Sequence, residues 1–317
     1  MRGRNVLVAG GTGLVGSALT RRLDGLGAQV LSSCHDRPPP FLAQHYRRFD
    51  FTELADCLDA TRGIDDVFIC AAQTFGAAVM HEHPESVVLP NVRIGAGLLE
   101  ACRRNRVARV LLVSSSTVYQ EASHPIAEDE LDLNQAPYPL YAAVGWVNRY
   151  LEQLAGFYAT RHGLRIAIVR PTNVYGPFDR FEDGKSHVLP ALIKRALSRE
   201  DPFVVWGDGT AVRDFVYVED LVDDLLALLD RAPTGEPLNL ANGTPHSIRD
   251  AVSAVLRACD HSVMPRYDRT KPDAIPYRML DTTKADAILG RRRRTTLRAG
   301  IEATVRWYRT TREARAA

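Results

Sequence analysis

The first half of the chain alternates between two hydrophobic patterns. Short apolar runs of strand length stand at residues 5–9, 67–72 and 107–113. Segments with helix-like spacing of apolar positions lie between them, at residues 17–23 and 91–104. Strands that are apolar throughout are typical of parallel sheets covered on both faces, and strands that alternate with helices form βαβ units. The pattern therefore predicts an α/β fold with a doubly wound parallel sheet.

A glycine-rich turn joins the first predicted strand to the first predicted helix. Gly10, Gly13 and Gly16 are spaced three apart in it. In a Rossmann dinucleotide site such glycines allow a tight turn, close approach of the pyrophosphate and close helix–strand contact. The helix N-terminus then offers free N–H groups to the phosphates. An ordinary glycine turn is the alternative; otherwise we expect the dinucleotide to contact Gly10, Thr12, Gly13, Leu14, Val15 and Gly16.

The end of the second predicted strand, at residues 28–33, indicates which dinucleotide is bound. An acidic residue at this place normally binds the adenosine ribose hydroxyls of NAD. Ser33 and Arg37 suit a 2′-phosphate instead, so NADP is favoured, while Asp36 keeps NAD open as the alternative. Asp50 and Phe51 end a further short strand and could meet the adenine edge, or Asp50 could be a solvated loop carboxylate.

Composition narrows the class of protein. The 317 residues are enough for a large domain and a smaller one, and a net charge of +2 gives no reason to expect nucleic acid or a membrane surface as a partner. The five cysteines form no metal or redox motif, which suggests reduced thiols in a cytoplasmic protein. No run reaches membrane-spanning length, no signal peptide is recognisable and no metal site is expected.

Further motifs follow the glycine turn in a fixed order. They are Ser-Ser-x-x-Val-Tyr at 114–119, Pro-Thr-Asn-Val-Tyr-Gly-Pro at 171–177, Ser-His-Val-Leu-Pro at 186–190, Trp-Gly-Asp-Gly-Thr at 206–210, Arg-Asp-Phe-Val-Tyr-Val-Glu-Asp-Leu at 213–221 and Lys-Pro-Asp at 271–273. With these motifs the chain resembles the extended short-chain dehydrogenase/reductase (NAD-dependent epimerase/dehydratase) family, and within it most resembles the GDP-L-fucose synthases.

The resemblance implies an architecture. It implies a dinucleotide-binding Rossmann domain at residues 1–170 and a smaller mixed α/β substrate domain at 171–317, with residues 212–240 returning to the first. It also implies a homodimer in which helices around 91–104 and 141–162 pair with their copies. On the second helix, the apolar stripe available for this pairing is Trp146, Leu151, Leu154 and Phe157.

The resemblance also implies a reaction. Family members reduce or oxidise a sugar carbon with a tyrosine acid/base, a serine or threonine hydroxyl and a lysine. We therefore expect an NADP-dependent nucleotide-sugar epimerase or reductase acting on a keto or deoxy sugar. The alternatives are the same fold doing non-redox or atypical chemistry on another small molecule, or a catalytically silent cofactor-binding protein.

The tyrosine–lysine pair of the family is altered in this chain. Ser115 matches the family serine. Counted from Tyr141, the lysine position holds Gly145. Counted back from Glu152, which matches a glutamate that often follows the lysine, Val144 stands at the tyrosine and Asn148 at the lysine. Tyr141 is then either a displaced acid/base or a packed helix residue, and the lysine is missing in both registers.

Two positions concern epimerisation in the GDP-L-fucose synthases. Thr117 stands where that group has a cysteine, and a threonine is a poor base at neutral pH. His187 matches the histidine of that group, and its unperturbed pKa suits proton transfer. His187 could instead bind a phosphate or cap a helix.

Family positions complete the expected site. For the cofactor they add Ala71, Ala72, Asn91, Ser114, Asn148, Pro171, Asn173 and Val174. For the substrate they give Asn173, His187, Val188, Lys194, Trp206, Arg213 and Lys271. Arg213 is the strongest candidate for a phosphate contact, because its planar fork matches phosphate oxygens.

Overall fold

The large sheet is the centre of the fold. The structure, a computed structural model, describes residues 1–74, 82–182, 186–232, 234–270, 275–290 and 294–316, the last four of these by backbone only. Seven strands pair in the order β11-β6-β5-β4-β1-β2-β3, and every pairing is parallel. The predicted doubly wound parallel sheet is confirmed. Its strands are β1 Asn5–Ala9, β2 Gln29–Cys34, β3 Tyr46–Arg48, β4 Asp66–Ile69, β5 Arg109–Val113, β6 Ile166–Pro171 and β11 Pro237–Leu240.

Helices cover both faces of this sheet, which is why its central strands β1, β4, β5 and β6 are mostly apolar and buried. Helices α1 (Leu14–Gly25) and α6 (Val218–Arg231) pack on one face. Helices α2 (Leu54–Ala60), α3 (Val88–Arg104) and α4 (Ala142–His162) pack on the other. None of the described helices is both long and apolar enough to cross a membrane.

A smaller, mixed part of the structure has its own core. Its described helices are α5 (Val188–Leu197), α7 (Ile248–Ala258) and α9 (Leu297–Ala316), while α8 (Thr283–Leu289) packs against α6. Its strands pair as β7 with β10, β8 with β13, and β9 with both β12 and β14. These strands are β7 Asn173–Tyr175, β8 Val204–Trp206, β9 Val212–Arg213, β10 Phe215–Tyr217, β12 His246–Ser247, β13 Arg266–Asp268 and β14 Tyr277–Arg278.

Within residues 212–240, two elements join the large sheet. Helix α6 packs against β5 and β6, and β11 adds to the edge of β6 with Leu238 opposite Val169. The strands β9 and β10 stay with the smaller part. The chain therefore crosses to the large sheet after β10 and returns to the smaller part after β11.

The apolar stripe of α4 is divided between the core and the surface. Leu151 is 7% exposed and packs against Gly95 of α3, and Leu154 is a partly buried neighbour of the same core. Leu151 is therefore not available for the pairing expected from the sequence, because α3 and α4 pack together at this residue. Trp146 and Phe157 are 46% and 54% exposed, so they form the outward apolar positions.

Candidate active site

The glycine turn is packed so closely that side chains cannot enter it. Gly10 has a φ of +87°, and a Cβ there would lie 2.7 Å from the backbone nitrogen of Ala71. A Cβ on Gly16 would lie 2.1 Å from the carbonyl oxygen of Gly10. Gly13, the residue before α1, provides no side-chain cap. The first N–H groups of α1, beginning at Leu14 and Val15, are therefore left free beside a turn without side chains, and a pyrophosphate fits there. Thr12 is half-buried in the same turn.

At the end of β2, Ser33 and Arg37 have different roles. The Ser33 side chain is buried, and its hydroxyl accepts the N–H of Gly10 at 2.7 Å. Ser33 thus holds the glycine turn in place from below. Arg37 has a buried Nη1 with no hydrogen-bond partner among the described residues. A buried donor without a partner is rare in folded proteins and suits an anionic ligand such as a 2′-phosphate.

The two candidates for the adenine edge diverge. The Asp50 carboxylate accepts both the N–H and the hydroxyl of Thr52, and these hydrogen bonds hold the pKa of Asp50 below its usual range. Phe51 is buried in the core, where its ring stacks on Phe49 with 5.6 Å between the centroids. Of these two candidates, Asp50 is the one whose side chain can offer polar atoms to a ligand.

The loop after β4 is held by Asn91. The amide oxygen of Asn91 accepts the N–H of Gln73 at 2.7 Å, and its amide nitrogen donates to the Gln73 carbonyl at 3.0 Å. Both ends of the side chain are thereby occupied. Ala71 is half-buried and Ala72 exposed, so small side chains line the path from this loop to the glycine turn.

A buried polar network lies at the carboxyl ends of β5, β6 and β11. The hydroxyl of Ser114 donates to Glu152 at 2.5 Å, and Arg170 pairs with the same carboxylate at 2.7 Å. Arg170 also donates to the Tyr119 hydroxyl, which donates to Asn239. Sequence reasoning missed Arg170 and Asn239 as site-forming residues. A charged residue inside an otherwise apolar strand was the available signal.

The Glu152 anchor sets the rotation of α4. Asn148 lies one turn earlier on the same face, and its amide donates to the hydroxyl of Thr117 at 3.5 Å. The hydroxyl of Ser115 accepts the N–H of Thr117 at 3.2 Å. Arg149 is buried on another face, where it donates to the carbonyls of Val118 and Gln135. The structure thus brings Ser115, Thr117 and Asn148 together. Arg149 binds backbone carbonyls instead, so it does not replace the missing lysine.

Tyr141 precedes α4 and lies near two arginines of the smaller part. Burial raises the pKa of Tyr141, and the charges of Arg213 and Arg278 oppose that rise. These arginines stand opposite each other in the β9–β14 register, and both are buried. Arg278 donates to the carbonyls of Tyr119 and Gln120 at 3.4 and 3.1 Å. Burial and the neighbouring Arg213 lower the pKa of Arg278 to about 10.

Arg278 was not among the residues expected from the sequence. Its strand is two residues long, so periodicity gave no warning that it would be buried. Only the pairing of β14 with β9 brings it to Arg213. The charges of both arginines act on Tyr141.

His187 is the residue before helix α5, and it is exposed. Desolvation by the protein around the imidazole, together with the charge of Arg180, lowers the pKa of His187. Three further candidates belong to the smaller part. Val188 on α5 and Trp206 on β8 are exposed, and Lys194 on α5 is half-buried.

The remaining candidates lie where β6 gives way to β7. Pro171 is buried at the end of β6, and Val174 is half-buried on β7. The Asn173 amide nitrogen donates to the carbonyl of Asp214 at 2.9 Å, which ties β7 to β10. Lys271 lies outside the described residues.

Comparison with known proteins gives one family and several full-length relatives. The model of the NAD dependent epimerase/dehydratase family matches residues 6–241. The chain is similar to dTDP-4-dehydro-6-deoxy-D-allose reductase of a Streptomyces species, with 33% identity over 97% of each chain. It is also similar to GDP-L-fucose synthase of Escherichia coli K12, with 29% identity over 97% of each chain. The solved structure of MoeE5 in complex with UDP-glucose and NAD is 29% identical, with a TM-score of 0.82 over 97% of this chain and 99% of that chain.

Proposed function

Because the chain belongs to the NAD dependent epimerase/dehydratase family, we propose that this enzyme is an NADP-dependent nucleotide-sugar reductase or epimerase acting on a keto or deoxy sugar. Its full-length relatives include a reductase of a keto-deoxy sugar nucleotide and a GDP-L-fucose synthase. These similarities do not favour the alternatives of a silent cofactor-binding protein or of non-redox chemistry. Residues 1–170 with α6 and β11 serve the cofactor in this proposal, and the smaller part, which includes Arg213, serves the substrate.

The buried pair Arg213 and Arg278 is the observation that carries the substrate class. Burial first, and then the like charge of Arg213, lowers the pKa of Arg278, so the two buried cations favour an anionic partner. A diphosphate offers two linked anionic groups that satisfy both arginines at once. A diphosphate held there brings the attached sugar near Tyr141, whose pKa both arginines influence.

The chain's own residues suggest how a ketone would be protonated. When bound, the reduced nicotinamide supplies a hydride to the keto carbon. Tyr141 stays neutral at physiological pH because burial raises its pKa, so its hydroxyl is a proton donor and a weak base. Ser115 and Thr117 offer hydroxyls at the end of β5, and the Asn148 amide holds Thr117 in place. These groups favour reduction over oxidation of an alcohol.

His187 is the candidate for an additional proton transfer during epimerisation. Its lowered pKa keeps the imidazole neutral near pH 7, which is the form that acts as a base. Thr117 cannot supply the complementary acid as readily as a cysteine would. Reduction without epimerisation is therefore the simpler form of the proposal.

The cofactor preference rests on Arg37. Its buried, unpartnered Nη1 suits the 2′-phosphate of NADP. MoeE5, which is 29% identical, is described in complex with NAD. NAD is accordingly the alternative that a titration must compare.

A homodimer in the cytoplasm completes the proposal. Trp146 and Phe157 of α4, together with Leu89 of α3, leave an apolar surface on the α3–α4 pair. Burying such a surface against its copy is a common use of exposed aromatic residues. All five cysteines are free thiols, which suits a reducing compartment.

The reaction can be tested directly. The purified protein is mixed with NADPH and a nucleoside diphosphate 4-keto-6-deoxyhexose, and NADPH oxidation is followed by absorbance. Deuterium incorporation beside the ketone, measured by NMR, reports epimerisation separately. We expect NADPH oxidation that falls at least tenfold in Arg278→Gln, because a hydrogen bond to a charged group is lost. Arg257→Gln, exposed on α7, is the matched control, and lack of any hydride transfer contradicts the proposal.

A further inference from the structure

Residues 176–182, which follow β7, reach from the smaller part to the loops at the edge of the large sheet. The ring of Phe178 lies 5.1 Å from that of Phe41, in the loop after β2. Arg180 donates to the carbonyl of Thr74, in the loop after β4, at 3.3 Å. The segment between these contacts therefore borders the end of the sheet where the Rossmann fold holds its dinucleotide.

Asp179, at the centre of this segment, has one oxygen satisfied and one left over. Its side chain is 5% exposed, and its Oδ1 accepts the N–H of Arg180 at 2.7 Å. Its Oδ2 is buried with no hydrogen-bond partner among the described residues. Burial raises the pKa of Asp179 to about 7, and Arg37 and Arg180 oppose the rise. A buried acceptor of this kind is costly unless a ligand supplies the donor.

Arg37, which follows β2, carries a donor that complements the free acceptor of Asp179. Its Nη1 is a buried donor without a partner, and its charge acts on Asp179. The two side chains come from distant parts of the sequence and do not form an ion pair in the structure of the described residues. An acceptor and a donor at the same edge of the site, each without a partner among the described residues, fit a ligand with a hydroxyl beside an anionic group. The ribose of NADP, with a 3′-hydroxyl beside a 2′-phosphate, has that arrangement.

We propose that Asp179 accepts the 3′-hydroxyl of the adenosine ribose while Arg37 binds the neighbouring 2′-phosphate. This inference rests on the dinucleotide of the proposed function and extends it to a residue of the 176–182 segment. In many Rossmann proteins the acid that binds the ribose stands at the end of the second strand. Here the acid comes from the segment after β7, so the smaller part helps to bind the cofactor.

The test removes the Asp179 acceptor from the protein and the 3′-hydroxyl from the ligand, separately and together. Binding of NADPH and of 3′-deoxy-NADPH to the native protein and to Asp179→Asn is measured by calorimetry without substrate. Asparagine keeps an oxygen for the Arg180 N–H and replaces the free acceptor with a donor. We expect either change alone to weaken binding about tenfold and the two together to weaken it no further, because both remove the same hydrogen bond.

Further arms separate the two side chains. Asp179→Asn weakens NADPH and NADH by the same factor, because both carry the 3′-hydroxyl. Arg37→Gln weakens NADPH and leaves NADH unchanged. Asp129→Asn, an exposed carboxylate elsewhere, is the matched control and binds like the native protein.

Three results would overturn the inference. They are native affinity in Asp179→Asn, equal binding of NADPH and 3′-deoxy-NADPH to the native protein, and additive losses in the combined experiment. The native protein with 3′-deoxy-NADPH decides the matter even if the variant fails to fold. Because no substrate is present, these outcomes are independent of the reaction: a protein that binds NADPH in this way and reduces no keto sugar contradicts only the proposed reaction.

Discussion

Glu152 and Arg170 form a buried ion pair, 2.7 Å between Oε2 and Nη2, that joins α4 to β6. Nearly all of both side chains is out of contact with water. Breaking such a pair leaves one uncompensated buried charge, which costs about 3–5 kcal/mol. We expect Glu152→Gln to lower the free energy of unfolding by about that amount in urea titrations.

The matched control is Glu100, which pairs with Arg103 and Arg104 at the end of α3 where water reaches the groups. Glu100→Gln should cost no more than about 1 kcal/mol, as is usual for surface pairs. Equal losses in the two variants would show that the Glu152 pair does not hold α4.

Tyr141→Phe tests the proton donor. Removing a general acid typically slows the chemical step by about 10²–10⁴. We expect turnover to fall in that range while the affinity for NADPH, measured by calorimetry, stays the same. Tyr138→Phe is the control, because its ring lies 6.2 Å from that of Tyr141 and its hydroxyl has no role in the proposed reaction. Full activity in Tyr141→Phe would show that another group donates the proton.

Asn148→Lys tests what the missing lysine would contribute. The Asn148 amide faces Thr117, so a lysine there places a cation on the side of the helix that faces the end of β5. In the family a lysine holds the nicotinamide ribose, and a hydrogen bond to a charged group is worth about 1.5–3 kcal/mol. We therefore expect NADPH to bind at least tenfold more tightly. Gln153→Lys, which adds the same charge on the exposed face of α4, should leave the affinity unchanged.

Asp214 predicts a pH dependence of stability. Burial raises the pKa of this carboxyl to about 6, although it accepts the N–H groups of Asn242 and Gly243. The folded protein therefore binds this proton more tightly than the unfolded chain, whose aspartates titrate near about 3.9. Its contribution to stability is full below about pH 4 and is lost as the pH rises to about 6.

The variant Asp214→Asn removes this titration. The difference in unfolding free energy between native protein and variant should decline by roughly 2–3 kcal/mol from pH 4 to pH 6.5, in urea titrations across that range. A difference independent of pH would show that the buried carboxyl stays ionised throughout.

Phe157→Glu tests the homodimer. The side chain is 54% exposed on α4, and a charge there would be desolvated if the face were covered by a second copy. We expect light scattering to report a dimer for the native protein and a monomer for the variant at micromolar concentration. Met264→Glu is the control, because Met264 is 84% exposed and lies outside the α3–α4 pair. A native monomer contradicts the dimer.

The sequence by itself determined the sheet, the glycine turn and the family. Strand and helix periodicity are local, so the alternation of patterns identified the strands of the large sheet from β1 to β5. The glycine turn is also local, since Gly10 and Gly16 meet within seven residues of chain. The order of the motifs added the family, and the family model matches residues 6–241.

Only the tertiary structure decided which of these residues face one another. Glu152 reaches Arg170 on another element, and this contact fixed the rotation of α4 that counting along the helix left open. Arg278 meets Arg213 because two short strands pair, and Asp179 is brought towards Arg37 by a segment of the smaller part. Such partners lie far apart in the chain, and no local pattern specifies them. The long-range packing of the sheet and its covering helices alone brings them together.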